Sequence, residues 1–439
     1  MLLIYLPKTS SRIEYVFEFL FRHEWEIDYI FTSDKATFDN YQQEKFNYSS
    51  SRFGDEFFIK ASPLLYENFI TKRGIIIHDK YETKVFFAND ESCDLGFDIF
   101  SAIFYMVSRY EEYLPFTPDK YGRYKASDSL AFQNNFLQIP VVNIWIILFK
   151  NILLKKFPDL IIKPSAFKAI VTYDIDVAYQ FKGRSFVRNL GSTINDLVKL
   201  KFKNIFSRAK TFLKLQKDPW DVYDYLSETI MQNNLQSIFF FLLADKSAND
   251  RNLNYKHPLM KKLINRIKTF SEIGIHPSFT TSSFPEKIII EKDRLEKISN
   301  IEITKSRQHY LKFHLPQTYN FLLTAGIAED YSMAFPDKAG FRAGTCKPFY
   351  FYDLKNEKTT NLKIFPVTMM EATFIYYTKL SPEKSLIKIL NLLKEVKKID
   401  GTFISIWHND NLGDSVQNKK WNSVHNKMVM QLKAYLKSK

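Results

Sequence analysis

An α/β chain, with a distorted (β/α) barrel preceded by a smaller α/β domain, is the fold class this sequence predicts. Three observations lead there. At 439 residues the chain is too long for one ordinary core, so two domains are expected. From Ala169 onward, short β-branched or aromatic runs alternate with stretches of helical spacing, and repeated strand–helix units imply parallel strands with right-handed crossovers. The polar residues that stand out in this half fall at the ends of those strands, where the chemistry of a barrel belongs. With 45% hydrophobic and 16% aromatic residues, the chain can fill such cores and is not extensively disordered.

Taken in order, residues 1–163 read as the smaller domain. Leu2 to Leu6 is a first strand, Ser11 to Arg22 a helix with an apolar face, and Gly74 to His78 another short strand. Phe97 to Leu114 is a strong helix, with Ile99, Ile103, Phe104, Val107 and Tyr110 at helical spacing, and it stops at Pro115. Its Arg109, Glu111 and Glu112 read as a solvated or salt-bridged face rather than a ligand site. Val141 to Leu154 is a second apolar helix, starting just after Pro140. Nothing here has nucleophile, metal or phosphate-loop spacing, so a structural or binding role is expected.

Pro164 marks the junction, and residues 164–439 form the barrel. Ala169 to Ile175 is its first strand. A basic insertion follows at about 181–217: from Leu197 to Lys217 it has no acidic residue, and its Lys and apolar residues make it amphipathic. A solvated helical insertion is the plainer reading; an anionic polymer or a membrane surface is the alternative. Later strands are expected at Ser237 to Leu243, Glu272 to His276, Thr304 to His309, Asn361 to Met369 and Thr402 to Trp407, with helices between them. Ser381 and Pro382 are the N-cap and first turn of the helix that runs to Lys398.

The net charge of +14 admits nucleic acid, an anionic polymer, a membrane surface or a Lys-rich proteome, but no recognised nucleic-acid module accompanies it. Cys93 and Cys346 are the only cysteines, in no metal-binding spacing, which fits a reducing compartment. The apolar run after Met1 is too short for a secretory signal, and no stretch approaches the roughly 20 apolar residues of a membrane span. The cytoplasm is the expected address.

Asp174 and Asp176, one residue apart at the end of the first barrel strand, project from the same face. Two carboxylates so placed call for a shared proton or a cation; a lone pair of this kind more often caps a turn. Three later strand ends change that weighing. His276 follows Ile273-Gly274-Ile275, His309 ends Ser306-Arg307-Gln308-His309, and His408 follows Ile406-Trp407. Imidazoles converging on an aspartate pair point to a metal site.

Four segments, Thr172-Tyr173-Asp174-Ile175-Asp176, Ile273-Gly274-Ile275-His276-Pro277-Ser278, Gly340-Phe341-Arg342-Ala343-Gly344 and Ile406-Trp407-His408-Asn409, resemble in order the motifs of the polysaccharide deacetylases, the NodB-like carbohydrate esterases. Phe97 to Leu154 resembles the uncharacterised domain that precedes such barrels in Bacteroidetes proteins. The resemblance implies a distorted (β/α) barrel that removes acetyl groups from a carbohydrate with a bound divalent metal, zinc first. By position it makes Asp174 the catalytic base, Asp176 and His276 metal ligands, Arg342 the arginine that orients the base, and His408 the general acid. Tyr173, Trp407 and Arg307 are assigned to substrate, although Arg307 could instead pair with Asp174, Asp176 or another acid.

Two departures bear on this. Ile175 separates aspartates that are adjacent in the family motif. Thr280 stands where the family has its second metal histidine, so His309 is the expected third ligand, with His314 the second choice. Two further readings stay open: a barrel without metal that only binds glycan, and a glycoside hydrolase pairing Asp174 or Asp176 with another acid such as Glu371.

Overall fold

In the computed structural model, which describes residues 1–90, 92–184, 186–413 and 415–438, the chain builds two principal sheets. The first joins β1 (Leu2–Tyr5), β2 (Tyr29–Thr32), β3 (Lys45–Ser49) and β4 (Phe57–Lys60) in the order β2-β1-β3-β4, all parallel. The strand expected over Gly74 to His78 is displaced. Gly74 to Ile77 has no regular structure, and β5 (His78–Lys80) pairs with β6 (Thr83–Val85) in a small hairpin. The helix expected from Phe97 to Leu114 is shorter, Ile99–Val107, with the Asp98 carboxylate accepting from Ser101 N at its start. It ends because Arg109 adopts φ +55°, a left-handed turn that swings Glu111 and Glu112 inward.

The second sheet has nine strands: β7 (Lys168–Ile175), β8 (Gln236–Phe241), β9 (Glu272–Ile275), β10 (Lys305–Ser306), β11 (Glu329–Asp330), β12 (Phe349–Asp353), β13 (Lys358–Ile364), β14 (Met369–Met370) and β15 (Thr402–His408). Their order is β12-β13-β11-β10-β9-β8-β7-β15-β14, and only β12 runs antiparallel to its neighbour. This is the parallel α/β arrangement expected, but no strand pair among the described residues closes it into a barrel. The sheet's edges are β12 and the two-residue β14. A backbone bond from Val367 N, just before β14, to Met333 O, on the segment after β11, reaches across the sheet at 3.0 Å outside its ladders.

The pleat sorts β7, β8 and β15 between two clusters. Ile170, Ile238, Phe240, Ile404 and Ile406 fill a small inner core, while Val171, Tyr173, Phe239, Phe403 and Trp407 pack outward against the helices. That outer core runs without a break into the first sheet. Across the expected junction near residue 163, Phe341 N donates to Leu137 O at 2.8 Å and Val142 N to Gly344 O at 2.9 Å. A Cβ at Gly340 would collide with Leu137 O, and one at Gly344 (φ +66°) would meet Met106 at 2.8 Å. The glycines bracketing Arg342 therefore serve close packing against the first region. The basic insertion forms two helices, Phe186–Val198 and Phe202–Phe212. Among the described residues no helix is long and apolar enough to cross a membrane.

Candidate metal centre

Parallel pairing puts the carboxyl ends of β7, β9, β10, β14 and β15 at one end of the sheet, and the polar residues of that end meet there. His408 is paired in register with Asp174, so both point to the inner side. Asp176 lies just beyond β7, His276 just beyond β9 and His309 beyond β10. One ligand atom each from Asp176, His276 and His309 lies within 4.8 Å of the others. His276 Nε2 is 3.2 Å from Asp176 Oδ1, and His309 Nε2 is 3.4 Å from Asp176 Oδ2.

Each imidazole is held from behind. His276 Nδ1 donates to the carbonyl oxygen of Arg307, which can only accept, so its Nε2 is left bare. His309 Nδ1 sits 3.0 Å from Asp250 Oδ1, and His408 Nδ1 2.8 Å from Glu371 Oε1. Carboxylates and carbonyls behind imidazoles fix the tautomer and aim of metal-ligating histidines. A bare His276 Nε2 facing a carboxylate oxygen at 3.2 Å needs a positive charge between them. Asp176 Oδ1 is moreover buried without a hydrogen-bond partner. One carboxylate and two imidazoles facing a cleft fit a divalent ion, zinc among them.

Asp174 is almost fully buried and takes a bond from Arg307 Nη1 at 2.9 Å. Its Oδ2 is 3.8 Å from His276 Nε2 and 4.0 Å from His408 Nε2. Burial pushes the Asp176 carboxyl up, but the charge of His309 first, and that of His408 beside it, outweigh this, and the group ends well below the usual carboxylate range. Burial lowers His309, yet Asp176 and Asp250 overcome it and raise the imidazole to about 9. His408 is likewise raised well above an ordinary histidine: burial opposes the charged form, and Glu371 with both aspartates favours it. The side chains open onto a cleft of about 380 Å³, lined also by Tyr121, Arg123, Tyr310, Tyr376, Tyr377 and Asp410. Burial raises Asp410 to about 6.

Four assignments made from the sequence need correction. Arg342 does not reach the aspartates: its Nε and Nη2 donate to Glu112 at 2.9 and 2.6 Å, and Nη1 donates to Ala334 O. The arginine beside Asp174 is Arg307, which is fully buried and therefore lies beneath the cleft rather than in it. Tyr173 and Trp407 are also fully buried, on the opposite face of their strands from Asp174 and His408. Tyr173 Oη is 3.0 Å from His425 Nε2, and the Trp407 ring packs edge-on against His425. His314 lines a neighbouring cleft beside Glu112. Glu371, the acid offered for a glycoside hydrolase, is fully buried and accepts from His408 N at 2.7 Å and Asn411 Nδ2 at 2.9 Å.

The sequence reading missed Asp250. It sits on the loop after β8, with nothing nearby in the chain to mark it. Its second oxygen accepts from Thr280 Oγ1 at 2.8 Å. Thr280 thus braces the carboxylate that aims His309. Burial pushes Asp250 up, but bonds from His309, Ser247 and Thr280 hold it far below an ordinary carboxylate.

A family model described as a family of unknown function (DUF7033) matches residues 2–158. No curated protein matches the chain. Among solved structures, the chain is similar to one from Mycobacterium smegmatis assigned to the polysaccharide deacetylases, at 14% identity and TM-score 0.41, covering 62% of this chain and 86% of that one. The polysaccharide deacetylase Bc1974 from Bacillus cereus is similar at 11% identity and TM-score 0.29, covering 60% and 88%. BA3943 from Bacillus anthracis, a CE4 family pseudoenzyme, is similar at 10% identity and TM-score 0.27, covering 62% of each chain. Likeness at this level says nothing of activity, so the chemistry rests on the residues of this chain.

Proposed function

We propose that the chain is a metal-dependent hydrolase that removes acetyl groups from an acetylated glycan or glycan precursor, with residues 164–439 carrying the chemistry and residues 1–163 forming an α/β domain packed against them. The observation that carries this reading is the convergence of imidazoles on Asp176, each with its rear nitrogen tied to an acceptor. Asp176, His276 and His309 would hold the ion. When bound, the ion supplies a Lewis acid for the acetyl carbonyl and lowers the pKa of water.

The other residues account for the proton movements. Asp174, whose Oδ1 is tied to the Arg307 guanidinium, accepts the proton of the attacking water at Oδ2. His408, held well above an ordinary histidine chiefly by Glu371 behind it, donates from Nε2 to the departing amine or alcohol. Tyr121, Tyr310 and Tyr376 line the mouth with ring faces of the kind that pack on sugar rings. The four ordered segments that resemble the deacetylase motifs favour acetyl groups over other acyl groups. Pairing of Glu371 with an aspartate across a glycosidic bond is disfavoured, because Glu371 is enclosed behind His408. Two free, buried cysteines fit the cytoplasm.

The test is metal content and acetate release from N-acetylated chitooligosaccharides and O-acetylated glycans, for wild type and Asp176→Ala. Bound divalent metal and acetate release should both be lost in the variant. Full activity after chelation, or new reducing ends without metal, sinks the proposal. Metal retained by wild type with no acetate released from any such substrate favours the glycan-binding reading instead.

A further inference from the structure

The helical pair Phe186–Val198 and Phe202–Phe212 turns its apolar side outward. Ten exposed large apolar side chains fall within residues 190–215, with Val198 76%, Leu200 72% and Leu215 72% exposed. A helix on a water-soluble body normally faces such residues inward, and a contiguous exposed patch of this kind marks a contact surface. The pair is nonetheless well anchored. Arg208 Nη2 bonds the buried Asp196 at 2.7 Å between the two helices. At the root, the Asp218 carboxylate accepts from the backbone N of Gln180, Phe181 and Lys182 at 2.7–3.0 Å. The inner side thus carries the bonds that anchor the pair, and the apolar side is what waits for a partner.

Charge selects the partner. Lys199, Lys201, Lys203, Lys210 and Lys214 are all exposed around the apolar residues, and no acidic residue lies between Leu197 and Lys217. A second copy of the chain would set these lysines against their own kind. A nucleic acid would use the lysines but leave the aliphatic side chains in water. A bilayer with anionic headgroups satisfies both, burying the apolar face at the acyl boundary beneath paired lysines. We infer that this hairpin docks the protein on an anionic lipid surface.

The inference does not depend on the metal centre, but it gives that centre an orientation. Asn409, next to His408, donates to Trp220 O and Ala178 O at the hairpin's root, so the hairpin leaves the sheet at the end that carries the cleft. On the hydrolase reading, saccharides tethered to lipid would then be the substrates within reach.

The test is co-flotation of the full chain at 0.15 M salt with vesicles of phosphatidylcholine alone or with 30 mol% phosphatidylglycerol. Binding should be about tenfold weaker without the anionic lipid. Leu200→Ser/Phe206→Ser/Leu213→Ser should abolish it while leaving metal content and thermal midpoint unchanged, and Lys199→Glu/Lys201→Glu/Lys203→Glu should abolish the preference for anionic lipid. No flotation of wild type, undiminished flotation of the apolar variant, or a wild-type dimer that the apolar variant dissolves each overturns the inference. Metal content and acetate release from soluble substrates are read on the same samples, so failure of the hydrolase reading is seen separately.

Discussion

The cluster around Asp176 at the strand tips and the cluster around Glu112 between the two sheets are both buried and charged, but only one of them is electrically finished. Glu112 takes two bonds from Arg342 and one from Arg109, and Arg109 also reaches Glu111. Burial pushes Glu112 up, yet the two arginines bring it down to about 2. Around Asp176 the balance is left open: Oδ1 has no donor, the His276 Nε2 facing it is bare, and the side chain is 32% exposed to the cleft. A closed set of charges joins two parts of a protein. An open set has room for a ligand.

That contrast fails if the two clusters respond alike to substitution. The largest effect is expected at Glu112→Ala, which strands two buried guanidiniums at once. It should cost about 3–5 kcal/mol of stability, read as the shift in a urea unfolding curve. For the same reason residues 164–439 expressed alone should be insoluble, despite the domain division proposed near residue 163; a soluble, folded fragment would show the clamp to be dispensable. Asp176→Asn should shift the unfolding curve less, and instead weaken divalent-metal binding by at least about a hundredfold, measured by competition with a chelating dye. Metal affinity close to wild type in that variant would mean the ligand set is wrong.

The alternation of parallel strands and helices, and the residues that meet at the strand ends, were legible because each rests on local pattern. Asp174 and Asp176 share a face by strand period alone. The same period could have excluded Tyr173, which must point away from both aspartates, and Trp407, which must point away from His408. Arg342 misled because its glycines resemble a catalytic loop, whereas they exist to let Leu137 and Met106 approach. Asp250 and the enclosure of Glu371 depend on contacts between distant loops, which no spacing encodes. Closure of the barrel was overestimated because strand count says nothing of strand length.

A smaller effect separates the clusters by pH. In metal-free protein, His309 is raised from 6.5 to about 9, so its favourable contribution to stability is full below pH 6.5 and is lost as pH rises through about 9. Metal binding has the opposite sign, since the ion must displace the proton on Nε2. Affinity should climb about tenfold per pH unit between pH 7 and 9 and then level off. Asp250→Asn removes one of the two carboxylates that raise His309, and should move the plateau to lower pH. A plateau at the same pH in that variant would assign the titration to another group.

The smallest effect is expected where the sequence reading had placed substrate. The Tyr173 hydroxyl lies 3.0 Å from His425 Nε2, and Tyr225 Oη lies 2.8 Å from Nδ1 of the same ring. Burial lowers His425 to about 3, so the ring is neutral and one nitrogen donates while the other accepts. Tyr173→Phe deletes one of these two bonds and leaves a buried ring nitrogen unpaired, at a cost of about 1–3 kcal/mol in urea unfolding. Metal affinity, KM and kcat for any acetylated substrate should stay within about twofold of wild type, because the ring faces the last helix and not the cleft. A raised KM with unchanged stability would put Tyr173 in contact with substrate, and would require β7 to present both of its faces to the site.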